Sequence, residues 1–334
     1  MRFSRFLAIF QARNKEFWRD RAALGWNIVL PALVVLVFAF GFVGDGGSIY
    51  KVGVLEAGDR VERPGFLETR YIRFVPVTDR TGAITRVERH QLDMLVDPDD
   101  RRYWVNGDSA KGYLLERILN GSPEGNWTRE AVAGGEIRYV DWLIPGVLGM
   151  NIMFSALWGV GYVIVRYRKN GVLKRLQATP LTAFEFLAAQ VSSRLWVILG
   201  VTLLVYVGTY VFVDFKMYGS YLALFVLFAL GAVSLISLGL VVAARVASEE
   251  LADGILNLTS WPMMFLSGVW FSMEGLHPIV RGAAQVFPLT HMIDGARAVM
   301  LDGAGFLDVW PQMLTLVLMT TVCMAIGSLT FRWE

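Results

Sequence analysis

The sequence predicts a polytopic α-helical membrane protein with six transmembrane helices and a small α/β extracytoplasmic domain. Hydrophobic residues make up 55% of the 334 residues, and the mean hydropathy is +0.48, which is too apolar for an ordinary soluble domain. Several uncharged runs reach the length of about 20 residues that a helix needs to cross hydrocarbon. Residues 44–138 break this pattern, because they hold 14 basic and 16 acidic residues and no apolar run long enough to span.

Residues 1–21 predict an amphipathic helix that lies in the head-group region of the membrane. Aromatic side chains recur near one helical face, and basic residues lie elsewhere. The end of this helix carries Phe17, Trp18, Arg19 and Asp20. Charged residues interrupt the segment before any long apolar run begins, so we predict no cleavable signal.

The predicted membrane spans follow from the uncharged runs. Residues 24–43 form the first, and Pro31 within it predicts a kink or local unwinding. The remaining predicted spans are residues 142–165, 195–213, 217–244, 255–273 and 309–331. Residues 275–305 contain two prolines and no uncharged run long enough to cross, so interfacial or re-entrant helices outside the membrane are predicted there.

The charged segment 44–138 reads as a soluble α/β unit. Four short runs rich in β-branched and aromatic residues predict strands, at residues 50–55, 71–77, 92–96 and 102–105. A helix is predicted over residues 110–119, with Asp108 or Ser109 as its cap. The acidic run at residues 97–100 lacks the ligand spacing of an EF-hand loop, so a solvated turn is favoured over a calcium site.

The most informative stretch is a basic segment, residues 166–190, which we call the 166–190 loop. Five basic residues crowd its first half, as is typical of a cytoplasmic loop. Val172, Leu173 and Leu176 form an apolar face at helical spacing, Thr179-Pro180 breaks the helix, and Thr182 with Glu185 predicts a capping box on a second helix. Two interpretations stay open: a rigid element that receives a push from another protein, or an ordinary basic loop that sets topology.

Six spans place both termini in the cytoplasm, and the charges agree with that topology. Residues 1–23 carry six basic residues against two acidic ones, and the 166–190 loop adds its own five basic residues. The predicted location is therefore the cell (inner) membrane, with the soluble unit outside.

The sequence lacks the common nucleotide-binding and zinc-binding motifs. It contains no phosphate-binding G-x-x-x-x-G-K-[ST] loop and no H-E-x-x-H zinc pair, and a net charge of +2 does not suggest a nucleic-acid partner. No titratable side chain is predicted at mid-membrane, and Arg194 is expected to snorkel from the cytoplasmic end of its span. Residues 266–269 (LSGV) are interpreted as close helix packing. We predict no catalytic residue, no metal and no cofactor in this chain.

Three regions of the sequence resemble the permease subunits of type-2 ABC exporters. The first is KEFWRDR at residues 15–21, and the second is NGVLKRL at 170–176 followed by ATPLT at 178–182. The third is FLSGVWF at 265–271, followed by LHP at 276–278, FPLTH at 287–291 and AR at 296–297. Together they bracket the whole membrane part.

The resemblance implies a dimer, with an identical copy or a sister permease, above two separate ABC-type ATPase subunits that bind ATP-Mg. It implies ATPase coupling by Arg168, Gly171, Leu173, Leu176, Thr179, Pro180, Leu181, Thr182, Glu185 and Phe186, with the N-terminal helix beside them. It implies a translocation path for drug-like or lipid-like cargo at the dimer interface, for which we name Asn151, Phe154, Ser155, Trp158, Asn257, Trp261 and Phe265. For each of these seven, ordinary helix packing is the competing interpretation. For the whole chain, the alternative is a membrane scaffold or sensor that moves no cargo.

Overall fold

The computed structural model of the protein describes residues 3–19, 21–41, 50–55, 65–88, 90, 92–121, 127–133, 138–244, 246, 248–271, 273 and 277–330. The chain divides into two compact units, one formed by residues 42–139 and the other by residues 1–41 together with 140–334. Asp20 and the four C-terminal residues, for which predictions were made, lie outside the described residues.

The helices of the described part are, in chain order, α1 Phe3–Arg19, α2 Arg21–Gly41, α3 Arg80–Glu88, α4 Ala110–Asn120, α5 Tyr139–Ala156, α6 Val163–Lys169, α7 Val172–Gln177, α8 Ala183–Val213, α9 Tyr221–Ala243, α10 Glu249–Leu266, α11 Pro278–Ala284, α12 Pro288–Asp302 and α13 Trp310–Thr330. The strands are β1 Tyr50–Leu55, β2 Ile72–Val77, β3 Met94–Asp97, β4 Arg102–Asn106 and β5 Thr128–Val132. A 3-10 turn covers Gly65–Glu68, and a π-helical segment, Leu157–Tyr162, joins α5 to α6.

The unit of residues 42–139 holds a five-stranded sheet within its described part, in the order β2-β1-β3-β4-β5. All pairs are parallel except β3 with β4. Two groups of buried apolar side chains form its core, one including α4 and the other α3. Four of the strands lie where the sequence predicts them, and Ser109 caps α4, whereas α3 and β5 were not predicted.

The acidic turn after β3 is held by contacts within the sheet unit. The Asp97 carboxylate accepts hydrogen bonds from the backbone N–H groups of Asp99 and Asp100, at 3.2 and 3.3 Å. The Arg80 guanidinium lies 3.8 Å from Asp97 and 3.4 Å from Asp100. The segment is therefore a turn, as predicted, but only Asp99 and Asp100 are exposed, whereas Asp97 is buried.

The other unit is a bundle of helices in which α9 is central, because it contacts α8, α10, α12, α13 and the π-helical segment. In the described residues four helical stretches are long and apolar enough to cross a membrane: Tyr139–Lys169, Glu185–Val213, Tyr221–Ala243 and Trp310–Gly327. The chain is therefore a polytopic membrane protein. Helix α2 continues through Pro31 and has a shorter apolar stretch, Asn27–Val37.

The 166–190 loop is helical for most of its length. Gly171 makes the turn between α6 and α7 with a φ of 65°. This left-handed backbone conformation favours glycine, because a side chain would strain it. The predicted capping box is confirmed, since Thr182 Oγ1 accepts from the Glu185 N–H and the Glu185 carboxylate accepts from the Thr182 N–H. The helix that it caps is not a separate helix of the 166–190 loop, because α8 continues without a break to Val213.

Helix α10 differs from the predicted arrangement at both ends. The sequence placed a loop over residues 245–254 and a span over 255–273, but α10 begins at Glu249, where Ser248 caps it, and ends at Leu266. A turn follows, in which Gly268 adopts a φ of 71°. Residues 266–269 are therefore a helix end that packs closely, because a Cβ on Gly146 would lie 2.7 Å from the Val269 carbonyl oxygen.

Helices α11 and α12 occupy the segment for which interfacial or re-entrant helices were predicted. Most side chains of α12 are buried, and the helix packs on α9 and α13. Burial among other helices favours the re-entrant alternative for α12, because an interfacial helix keeps one face in water.

Candidate functional site

Helix α1 is tied to the bundle by a polar network around Arg13, which we call the Arg13 network. The Arg13 guanidinium donates to Gln190 Oε1 and to the Gly159 carbonyl oxygen, both at 2.7 Å. It also donates to Glu16 Oε2 at 2.7 Å and to the Tyr167 hydroxyl at 3.2 Å. Its side chain is only 10% exposed. Arg13 therefore faces the bundle, although the sequence interpretation placed the basic residues of this helix away from the packed face.

Glu16 completes the Arg13 network. Its carboxylate also accepts from Arg166 at 2.8 Å and from the Tyr167 hydroxyl. Burial raises the pKa of Glu16, but the Tyr167 hydrogen bond and the charges of Arg13 and Arg166 outweigh it, so the pKa lies below its ordinary value of 4.5. The carboxylate stays ionised and holds α1 against α6.

Arg194 contacts groups inside the bundle, which the sequence did not predict. Its Nε donates to the Ser155 carbonyl oxygen at 2.8 Å, and its guanidinium lies 5.2 Å from the centre of the Phe17 ring. A Cβ built on Gly159 would lie 1.9 Å from Arg194 Nε, so the glycine leaves the room that the guanidinium fills. Packing from α1 and the π-helical segment holds the side chain inward.

The 166–190 loop has a buried base. Leu173 and Phe186 are fully buried, and Glu185 is 4% exposed. Arg168 donates to the carbonyl oxygens of Ala243 at 2.8 Å and Ala244 at 3.3 Å, so it caps the end of α9. These four residues were predicted to couple to an ATPase, but the structure gives them contacts within the chain.

The turn between α7 and α8 forms an exposed tip, which we define as Lys174–Thr182. Lys174, Arg175, Gln177, Ala178, Thr179, Pro180 and Thr182 are exposed, and Leu176 and Leu181 are half-buried. Arg5 of α1 donates to the Pro180 carbonyl oxygen, which brings the start of α1 beside the tip. The start of α1 therefore adjoins the tip, and the exposed charged side chains of the tip, Lys174 and Arg175, are basic. Farther along α1, Trp18 is 65% exposed.

A second surface, the aromatic strip, joins the π-helical region to α10 and the turn after it. Trp158 Nε1 donates to Asp253 Oδ1 at 2.9 Å, and its ring lies 5.5 Å from that of Phe154. The rings of Trp261 and Phe265 stack at 6.1 Å. The further members of the strip are Asn257, which bonds to Asp253, and Phe271, which stacks on Phe265.

The aromatic strip brings together five of the seven residues predicted for a translocation path. Trp261 and Phe265 are 50% and 46% exposed in the single chain. Asn151 and Ser155 do not lie on it: both are buried, and the Ser155 hydroxyl donates to Asn27. Since Asp253 and Asn257 are poorly suited to face lipid, the strip suits contact with a protein or an aqueous path.

The third quoted sequence region forms a packed turn. Arg297 donates to the Gly268 carbonyl oxygen at 2.6 Å and lies 3.6 Å above the Trp142 ring. The Thr290 hydroxyl donates to the Ala284 carbonyl oxygen at 2.7 Å, and Thr290 Oγ1 lies 2.9 Å from Ser267 Oγ. These contacts fix α12 against the end of α10.

Sequence reasoning missed Arg13, Tyr167, Gln190 and Asp253. Arg13 and Glu16 are spaced three apart on a helix, which hinted at a pair. Their partners on α6 and α8 are more than 140 positions away, and no local pattern marks them. Asp253 was assigned to a loop because the start of α10 was placed six residues too late.

Comparison with known proteins places this sequence in a family. The model of the ABC-2 type transporter family matches residues 104–301, which is more than half of the chain. The inner membrane transport permease YhhJ of Escherichia coli (strain K12) is 31% identical over 186 residues, or 54% of this chain and 49% of YhhJ. This chain therefore spans about half the length of that relative.

Two further relatives extend the comparison. The probable multidrug ABC transporter permease YbhS of Escherichia coli (strain K12) is 20% identical over 338 aligned positions, covering 90% of this chain and 89% of YbhS. Nodulation protein J of Neorhizobium galegae is 25% identical over 173 residues, covering 50% of this chain and 64% of that protein.

Proposed function

This chain belongs to the ABC-2 type transporter family, and from that premise we propose that it is the permease subunit of an ATP-driven exporter. Membrane subunits of this type are transport components, and the ATPase sites lie in separate chains. We propose two ABC-type ATPase subunits, which bind ATP-Mg, below two permeases that are identical or sister chains. In this proposal both termini are cytoplasmic, the chain has six spans, and the sheet unit is extracytoplasmic.

One observation carries the coupling role: the exposed tip stands on a buried base. Leu173 and Phe186 anchor α7 and the start of α8, and the Thr182–Glu185 capping box fixes the turn between them. Lys174 and Arg175 are left at the surface, together with residues 177–180. A rigid, exposed and basic projection suits docking to a partner subunit better than a loop that only sets topology.

The continuity of α8 gives the tip a mechanical role. Because α8 runs from Ala183 to Val213 as one helix, force applied at the tip displaces the whole helix and, through the Arg13 network, α1 as well. ATP binding in the ATPase subunits would favour one of two helix arrangements and ATP release the other. The bundle would thereby alternate between inward and outward access.

The aromatic strip is the proposed lining of the path at the interface between two permeases. Its stacked rings suit apolar or amphipathic cargo, and Asp253 and Asn257 add polar contacts. The name of the relative YbhS, a probable multidrug permease, supports drug-like cargo.

The test is a charge reversal at the tip, Lys174→Glu with Arg175→Glu, in a permease co-expressed with an ABC-type ATPase. We expect copurification of the ATPase and cargo-stimulated ATP hydrolysis to fall at least tenfold. The matched control reverses two other exposed basic residues, Lys216→Glu with Arg281→Glu, and should change neither. Undiminished copurification of the ATPase with the tip variant would show that the tip is not the coupling surface.

The same assay separates a transporter from a scaffold. A transporter's ATPase rate responds to at least some of a panel of lipids and lipophilic drugs. A rate that is indifferent to every cargo, with docking intact, would favour the scaffold or sensor.

A further inference from the structure

A cavity of about 280 Å³ lies between α1, α2, α5, the π-helical segment, α6 and α8. We call it the arginine cavity. Its polar lining is Arg13, Glu16, Asn27, Ser155, Tyr162, Arg166, Ser193 and Arg194. Its apolar lining is Phe17, Phe154, Trp158, Val163 and Val197, and Gly159 completes it. One cavity thus offers both cationic and apolar side chains.

The arginine cavity is lined by more arginines than carboxylates. It is lined by three arginines and a single carboxylate, that of Glu16. Glu16 is already bound by Arg13, Arg166 and the Tyr167 hydroxyl. Among the described residues no carboxylate forms an ion pair with Arg194, whose Nε donates to the Ser155 carbonyl oxygen. At the edge of the cavity, the carboxylates of Asp253 and Glu249 accept from Trp158 and Tyr162. Among the described residues, Arg194 is therefore the lining arginine that has no carboxylate partner.

A guanidinium that packs against apolar side chains loses part of its hydration, and an anion bound beside it offsets that cost. Arginine also prefers anions with several oxygens, because its fork of N–H groups binds phosphate or carboxylate in a bidentate manner. Phe154 and Trp158, on the apolar side, are only half-buried, so an acyl chain could continue past them.

We propose that the arginine cavity binds the phosphate head group of an anionic membrane lipid. Arg194 is its principal contact, and the acyl chain lies along Phe17, Phe154 and Val197. Bound there, the lipid bridges α1, the π-helical segment and α8, and so stabilises the position of the N-terminal helix. This is a resident lipid site on the permease itself, and it is independent of the cargo and of the ATPase.

The experiment uses the whole purified chain in detergent and measures bound lipid by native mass spectrometry, with phosphatidylglycerol and phosphatidylcholine as probes. We expect phosphatidylglycerol to bind more tightly than phosphatidylcholine. Arg194→Gln should weaken phosphatidylglycerol binding about tenfold, the effect of removing one charged hydrogen-bond donor group. Arg194→Lys should retain most of the binding, and Arg281→Gln, which removes an exposed charge elsewhere, should have no effect.

Two further arms keep the proposal open to refutation. Val197→Phe adds volume to the cavity lining without altering any charge, so it should also weaken lipid binding. Displacement of the lipid by an equal concentration of inorganic phosphate would show a site for free phosphate and would overturn the lipid assignment. Equal binding by Arg194→Gln and Arg281→Gln, or equal affinity for the two lipids, would overturn the site. Since no ATPase is present, either failure leaves the proposed coupling role untouched.

Discussion

The Arg13 network and the aromatic strip are built on adjacent residues and have opposite characters. Gly159 accepts a hydrogen bond within the network, whereas Trp158 belongs to the strip. In the network, Arg13 binds Gln190, Glu16, Tyr167 and a backbone carbonyl, so its polar groups are satisfied inside the chain. In the strip, large aromatic rings remain about half exposed.

This difference separates residues that stabilise the chain from exposed residues that we propose for contact with a second permease. A closed polar network contributes to folding, because removing one member leaves the others unpaired. An exposed row of aromatic rings mixed with a carboxylate and an amide suits neither water nor lipid, so it gains most from a second protein surface. The predictions below test this separation.

The largest expected effect is on stability, from Arg13→Met. The change preserves much of the side-chain volume and removes four hydrogen bonds. It should lower the free energy of unfolding by about 2–3 kcal/mol, measured by denaturant unfolding in detergent. Lys15→Met, an exposed change on the same helix, is the control and should have little effect. If the two variants were equally stable, the network would have no special role.

Trp261→Ala combined with Phe265→Ala should affect association and leave the single chain intact. Truncating two central aromatic anchors is expected to weaken the proposed permease dimer by about 2 kcal/mol, or roughly thirtyfold. Light scattering at graded concentrations in detergent measures this change. Trp196→Ala removes another exposed tryptophan, on α8, and serves as the control. A dimer unaffected by the double change would argue against the strip as the interface.

Gly161→Ala should disturb both regions, because Gly161 lies in the π-helical segment that they share. A Cβ there would lie 2.9 Å from the Gly239 carbonyl oxygen, so the segment and α9 must move apart. We expect destabilisation by about 1–2 kcal/mol in a thermal or denaturant melt. Gly200→Ala meets no atom within 4 Å and should be neutral or slightly stabilising. Equal effects of the two substitutions would contradict close packing at Gly161.

The smallest expected effect is a pH dependence of the Arg13 network. Folding lowers the pKa of Glu16 below its ordinary value of 4.5. The ionised carboxylate therefore stabilises the folded chain fully at pH values above 4.5, and this stabilisation is lost as the pH falls through the lowered pKa of the folded state. The contribution should be under about 1 kcal/mol, since the carboxylate is 37% exposed. Comparing Glu16→Gln with the natural chain in melts from neutral to acidic pH should show their difference shrinking. A constant difference would contradict this.

Local chemistry made several features predictable. The Thr182–Glu185 capping box, the break at Thr179-Pro180 and the apolar anchor Leu173 depend on residues within one or two helical turns. Uncharged runs located the long helices, because a helix in lipid excludes charged side chains. Short runs rich in β-branched and aromatic residues located four strands, because such residues pack well in a sheet.

Features that depend on distant contacts escaped the sequence interpretation. Arg194 packs where it does because Gly159 leaves room for its guanidinium and the Phe17 ring lies beside it. Arg168 donates to α9 because the C-terminal end of that helix lies beside it. The early start of α10 was missed because acidic residues, which normally signal a loop between spans, here form the first turns of the helix.

By itself the sequence determined a membrane-spanning helical chain, a charged insertion with a sheet, and a capped basic turn, since composition and short-range spacing control each of these. Only the tertiary structure decided which charges turn inward and which aromatic rings stay uncovered. The physical reason is that the local sequence around a guanidinium or an indole ring does not show its contacts. Those contacts are made by side chains of other helices, which come together only in the folded bundle.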